Sequence, residues 1–304
     1  MTARIAAALL ACALTGGAAA AEPLSVPFDF SRHAIGLTVT VKGKPLYFLL
    51  DTGVNPSVVD LARAKALGLP LDRKAAGEGN GEGPGTAPEI PGTIPSPEIG
   101  GRKFANVEAL ATDMSAMSAG YGRALDGVLG YSFLSANSVL IDYQARKVTI
   151  GADGKKQDFA ARCRKSYAIP FTSNDDDQFP VVRALRFGGV EAPVTLDTGS
   201  NRTIGLYQAA LQIPAIRKAL VYRGAEKASS FGGNYTTRDA ILNIPMSIGP
   251  FALPAGHAVS VMPGKGIPGK RVANVGNGFL AALKVRLLVD YPNKRIAFLG
   301  DCAQ

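Results

Sequence analysis

Tyr47-Phe48-Leu49-Leu50-Asp51-Thr52-Gly53-Val54 recurs in outline as Pro193-Val194-Thr195-Leu196-Asp197-Thr198-Gly199-Ser200. In both places an apolar or β-branched run leads into Asp-Thr-Gly. The reading is a strand ending in a sharp turn, with a carboxylate at its tip. One such triplet is ordinary strand-to-turn sequence. The second copy changes its meaning, because the surrounding text repeats too. Gly130 lies 79 residues after Asp51, and Gly276 lies 79 residues after Asp197. Gly130 opens Gly-x-x-Phe133-Leu134 and Gly276 opens Gly-x-x-Phe279-Leu280. Each segment is followed by an apolar run into an Asp-Tyr pair, Asp142-Tyr143 and Asp290-Tyr291, which reads as the start of a hairpin. Equal spacing from Asp-Thr-Gly through Gly to Phe-Leu, with an Asp-Tyr pair after each, implies two similar lobes in one chain.

The intervening sequence is strand-like, with few stretches that fit a helix. Residues 24–50 read as strands. Residues 57–69 and the stretch LYQAALQI (206–213) read as short helices. Residues 77–97 are too rich in Gly and Pro for a regular core and read as a flexible flap over the first triplet, with a plain linker as the alternative. ASSFGGNYTTRD (228–239) reads as a polar loop in the second lobe. The boundary between lobes falls near 155–178. The expected organisation is a leader over 1–21, an N-terminal lobe over 22–160 and a C-terminal lobe over 161–304. The fold class is mostly β and bilobal.

The leader has Arg4, the apolar core IAAALLACAL and small residues before Glu22, the pattern of an export signal. That places the protein outside the cytoplasm, periplasmic or secreted, and no later run is long enough for a transmembrane segment. Cys12 lies in the leader and faintly suggests a lipid-attachment box. Cys163 and Cys302 are then an even pair in an exported chain, which suggests a disulfide tying the C-terminal tail to the start of the second lobe; two buried thiols are the alternative.

The net charge is +9, with one unit from Arg4, and the basic residues are scattered. No basic stripe is interleaved with aromatics, so nucleic acid is not an expected partner. His33 and His257 lack ligand spacing. The run Asp175-Asp176-Asp177 lacks the alternation and Gly of a calcium loop. No metal and no cofactor are expected.

Two carboxylates held close cannot both ionise cheaply. They share a proton, and such a pair can activate water while protonating a carbonyl. Asp51 and Asp197 are the candidate catalytic pair. Gly53 and Gly199 let the backbone approach the carboxylates, Thr52 and Thr198 offer hydroxyls that bond across the lobe interface, and Ser200 offers a donor to the outer oxygen of Asp197. Val54 stands where Ser200 stands in the second lobe and offers none.

These triplets, the later apolar-apolar-Gly elements and the Asp-Tyr hairpins resemble the aspartic protease superfamily. In detail they are most similar to retropepsin-like bacterial aspartyl proteases, with both lobes in one chain as in pepsin-like enzymes. The resemblance covers nearly the whole chain after the leader. It implies an aspartic endopeptidase that needs no cofactor and works as a monomer on a peptide or protein substrate in an inter-lobe cleft. It also implies a flap tyrosine, for which residues 77–97 hold no candidate and the second lobe offers Tyr235. Val54 and the missing first-lobe tyrosine favour another reading of the same fold: a non-catalytic protein that binds a peptide or an envelope component.

Overall fold

The computed structural model describes residues 22–81, 85–151, 162–173, 178–230, 233–264 and 271–302. The leader, Cys12 and the Asp175-Asp176-Asp177 run lie outside the described residues. Two nine-stranded mixed sheets and one six-stranded sheet account for most of the rest, and every helix is short.

The strands of the first nine-stranded sheet run, side by side, as Gly77–Asn80, Thr86–Ile94, Val107–Thr112, Ser57–Asp60, Gly127–Leu129, Lys44–Leu50, Gly36–Val41, Glu98–Ile99 and Arg102–Lys103. The second runs as Leu220–Ser230, Gly233–Leu242, His257–Val261, Ile204–Leu206, Ala273–Val275, Val190–Leu196, Val181–Phe187, Met246–Ile248 and Phe251–Leu253. Taken in chain order within each lobe, the two arrangements are the same, strand for strand. The duplication seen in the triplets therefore extends through the whole sheet.

The six-stranded sheet joins the lobes. Leu24–Pro27, Lys147–Ile150 and Ser138–Asp142 form one half, and Arg286–Asp290, Arg295–Cys302 and Cys163–Pro170 the other. The seam is the antiparallel pairing of Ser138–Asp142 with Arg286–Asp290, with Ser138 opposite Asp290 and Leu140 opposite Leu288. Both expected hairpins lie here. A main core cluster draws residues from both lobes, including Phe48, Phe133, Phe187, Phe279 and Phe298. Burial on this scale is the dominant favourable term in folding. Cys163 and Cys302 are bonded at the far edge of the six-stranded sheet, where their strands pair antiparallel. Among the described residues no helix is long and apolar enough to cross a membrane.

Three local expectations change. Residues 57–69 open with the strand Ser57–Asp60, and the helix is only Leu61–Ala66. Val58 and Val59 are β-branched and fill a slot between two other strands, while Asp60 caps the helix by accepting the Arg63 N–H. The stretch 206–213 is the end of a strand followed by a 3-10 turn over Gln208–Gln212, and the helix proper is Pro214–Ala219. The described parts of the Gly-rich stretch in the first lobe and the polar stretch in the second belong to matching hairpins. Gly77–Asn80 pairs with Thr86–Ile94, and Leu220–Ser230 pairs with Gly233–Leu242. The second hairpin is exposed along most of its outer strand, so its sequence lacks the alternation that marks a half-buried strand.

Candidate functional site

Each triplet is fixed by a strand slid beneath it. Gly127–Leu129 lies between the strand entering Asp51 and the strand leaving it, parallel to the first and antiparallel to the second. The Leu129 carbonyl accepts the Asp51 N–H at 3.0 Å, and the Val275 carbonyl accepts the Asp197 N–H at 2.9 Å. Gly130 must be glycine, since a Cβ there would stand 2.1 Å from the Pro56 carbonyl oxygen. Gly276 meets the same limit, 2.4 Å from the Arg202 carbonyl oxygen.

The two turns are clasped together across the lobes. The Thr52 hydroxyl donates to the Leu196 carbonyl at 2.6 Å and accepts the Thr198 N–H at 3.1 Å. The Thr198 hydroxyl donates to the Leu50 carbonyl at 2.9 Å and accepts the Thr52 N–H at 3.1 Å. The Asp-Tyr pairs brace the clasp from behind. Tyr143 of the first lobe donates to Asn277 Oδ1 at 2.8 Å, and Asn277 Nδ2 donates to the Thr198 carbonyl at 2.6 Å. Tyr291 of the second lobe donates to the Thr52 carbonyl at 3.4 Å.

This frame brings Asp51 and Asp197 into contact. The Gly199 N–H donates to Asp197 Oδ1 at 2.9 Å and to Asp51 Oδ1 at 3.2 Å, so one backbone amide is shared by both carboxyls. The Gly53 N–H donates to Asp51 Oδ1 at 2.6 Å. Burial pushes the Asp51 carboxyl well above its ordinary range, and the neighbouring Asp197 charge adds to this, against the opposing pull of the Gly53 and Gly199 amides. Asp51 therefore holds a proton to higher pH than an ordinary carboxyl does.

The surroundings of the pair are not symmetric. Ser200 contributes its backbone N–H to Asp197 Oδ1 at 3.0 Å, while its hydroxyl oxygen accepts the Arg202 N–H. The outer oxygen of Asp197 instead accepts Asn274 Nδ2 at 2.5 Å. Asn274 stands before Val275-Gly276, where the first lobe has Val128 before Leu129-Gly130. Beneath the first-lobe turn the matching residues are apolar: Leu49, Val58 and Val128 pack in one buried cluster. Beneath the second-lobe turn the positions of Leu49, Val58 and Val128 are held by Thr195, Gly205 and Asn274, paired in the same register. Arg271, which is buried, donates to the Thr195 hydroxyl at 3.0 Å.

A cleft of about 1110 Å³ opens over the carboxyl pair and is walled by both lobes. Glu89 reaches it from the first-lobe hairpin, and burial raises its carboxyl above the ordinary range. From the second lobe come Arg202, which sequence reading did not single out, and Tyr235, opposite Ala228 in the long hairpin. Helix Ser115–Tyr121 of the first lobe packs against that hairpin, and its Tyr121 also lines the cleft. Among the described residues no cluster of three His, Cys, Asp or Glu side chains is placed to hold a metal ion.

Comparison with known proteins bears on what this arrangement means. An aspartyl protease family model matches residues 37–133, which includes Asp51 and leaves Asp197 outside. No curated protein matches the sequence. Among solved structures, the chain is similar to the crystal structure of Basic 7S globulin from soybean, at 14% identity with a TM-score of 0.50, covering 91% of this chain and 94% of that one. The fold is thus that of the aspartic protease superfamily: two β lobes about a central cleft. The expectation of an aspartic endopeptidase, with its labels of hydrolase and protease, is corrected here. The two-lobed frame shared along nearly the whole chain is also the frame of a globulin, so possession of it does not bring peptide hydrolysis with it. The family match reaches only one of the two carboxylates. At the other, the oxygen expected to face Ser200 accepts the Asn274 amide instead.

Proposed function

We propose that this chain is a non-catalytic binding protein of the aspartic-protease fold that holds an extended peptide in its inter-lobe cleft. In this reading the leader exports the protein, and residues 22–160 and 161–304 are two retropepsin-like lobes fused into one binding unit. Asp51 and Asp197 act as a fixed hydrogen-bonding floor. Thr52, Gly53, Thr198, Gly199 and Ser200 hold that floor in place.

The observation that carries the proposal is the edge of the second-lobe hairpin. Residues Glu226, Lys227, Ala228, Ser229 and Ser230 line the cleft in an unbroken run. Side chains of a strand alternate between its two faces, so a consecutive run along a wall means that the strand edge itself borders the cavity. Leu220–Ser230 is the outermost strand of its sheet. An edge strand presents main-chain donors and acceptors to an added strand, which is how extended peptides are held with modest dependence on their sequence. The cleft volume lies just above the usual range for drug-sized ligands and suits several residues of extended chain.

The test is fluorescence anisotropy of labelled peptides from a random decamer pool, followed by mass spectrometry of the recovered peptides. Saturable binding with peptides recovered whole supports the reading. No saturable binding, or cleavage that vanishes in Asp51→Asn, refutes it.

A further inference from the structure

The second-lobe wall of the cleft is more basic than the first. Arg202, Arg223, Lys227 and Arg271 line it, against Asp197, Glu226 and Asp239, while the first lobe contributes Asp51 and Glu89. Arg202 differs from the other three in how it is mounted. Its side chain is only 18% exposed, and its Nη1 donates to the hydroxyls of Thr237, at 3.1 Å, and Ser260. Those hydroxyls belong to adjacent strands of the second sheet, and Thr237 is fully buried. The guanidinium is therefore locked in orientation before any ligand arrives. Its Nη2 faces Glu226 at 3.4 Å, and the Glu226 side chain is 61% exposed on the cleft-edge strand. An ion pair that open to solvent contributes little to stability and gives way readily to another carboxylate. Five residues after Asp51, the position matching Arg202 is Pro56, which carries no charge.

We infer that Arg202 is a specificity-determining residue that selects peptides carrying an Asp or Glu side chain, with Glu226 occupying the ligand carboxylate's place when the cleft is empty. The inference rests on the peptide-binding reading of the cleft. A guanidinium held by two hydroxyls presents its remaining fork to a carboxylate without first losing rotamer freedom, which favours a charge-assisted bond. Because the first lobe has no matching cation, the acidic residue of the ligand lies on the second-lobe side of the carboxyl pair. That fixes which way the peptide runs through a frame whose two lobes share one strand order.

The experiment compares two series of labelled decamers, identical except for Glu or Gln at one position, titrated against the full chain and its variants. Wild type is expected to favour the best Glu peptide over its Gln partner by about tenfold or more, the size of a charge-assisted hydrogen bond. Arg202→Gln removes the preference, so that within this variant the Glu peptide binds no more tightly than its Gln partner. Arg202→Lys keeps the charge without the fork and restores part of the preference, which also checks that the wall still folds. Glu226→Gln removes the competing carboxylate and widens the preference. Equal affinity for Glu and Gln peptides in wild type overturns the inference while leaving peptide binding intact. So does a preference that survives Arg202→Gln, or a loss in that variant that is the same for both peptides, which would make Arg202 only a rivet of the wall. Absence of binding by either series refutes the binding reading itself.

Discussion

Thr198→Val tests the clasp that makes two lobes into one site. Valine keeps the shape of threonine and opens no cavity, so the change is confined to hydrogen bonding. The lost hydroxyl leaves the Leu50 carbonyl without its 2.9 Å donor and the Thr52 N–H without its 3.1 Å acceptor. Thr52 and Thr198 are both buried, so no water replaces these bonds. Stranding a buried donor or acceptor costs about 1–3 kcal/mol, so two of them cost roughly 2–6 kcal/mol. Thr198→Ser retains the hydroxyl and is expected to lose about 1 kcal/mol or less. The assay is urea unfolding followed by far-ultraviolet circular dichroism, since the chain has no Trp. The pairing of Ser138–Asp142 with Arg286–Asp290 ties the lobes into one sheet, so a single transition with an unchanged slope is expected. A loss under about 1 kcal/mol for Thr198→Val would refute the reasoning, because it would mean that neither partner is truly sealed from water.

Two further outcomes follow from the structure. Asp51→Asn replaces a carboxyl whose ionisation is opposed by burial. The folded-state pKa of Asp51 is raised above its ordinary value of 3.8, so the wild-type site is fully stable below that value and loses stability as pH rises through the raised one. The variant, which does not titrate, is therefore expected to match wild type in acid and to melt higher at neutral pH; a lower neutral-pH melting point would contradict the burial argument. Breaking the Cys163–Cys302 bond opens a loop with a sequence separation of 139, and Cys163→Ser with Cys302→Ser is expected to cost roughly 2–5 kcal/mol in urea unfolding. Intact mass after alkylation without reductant checks the bond directly, and two modified thiols in the folded wild type would disprove it.

The fold was legible because its two halves announce each other. Asp51 with Gly130 and Asp197 with Gly276 have one spacing, and the structure gives both lobes one strand order. What stayed hidden is what only distant partners decide. Val58-Val59 reads as helix in its own neighbourhood and becomes strand because Leu110 and Gly127 flank it. Residues 228–239 read as loop because a hairpin exposed along its outer strand shows no alternation of polar and apolar residues. The Asp-Tyr pairs stood out in the sequence, yet their task did not: Tyr143 reaches Asn277 and Tyr291 reaches Thr52 across separations of 134 and 239 residues. Arg202 gave no signal at all, since its anchors Thr237 and Ser260 come from strands that follow much later.

The division between what the lobes share and what they do not bears on function. The parts that hold the turns are matched: Thr52 with Thr198, Gly53 with Gly199, Gly130 with Gly276, Tyr143 with Tyr291. The parts that face or underlie the cleft are not. Val54, Pro56, Leu49 and Val128 in the first lobe answer to Ser200, Arg202, Thr195 and Asn274 in the second. Each of these four replaces an apolar side chain with a polar or charged one on the same side, while Val58 answers to Gly205. A symmetric pair of identical lobes would present the same surface to both ends of a ligand and could not tell its direction. Fusing the lobes into one chain removes that constraint. The apolar floor of the first lobe gives rigid support, and the polar layer of the second gives oriented donors at fixed places. Such a division suits recognition of a chain with one defined direction, for which a rigid frame lowers the ordering cost of binding.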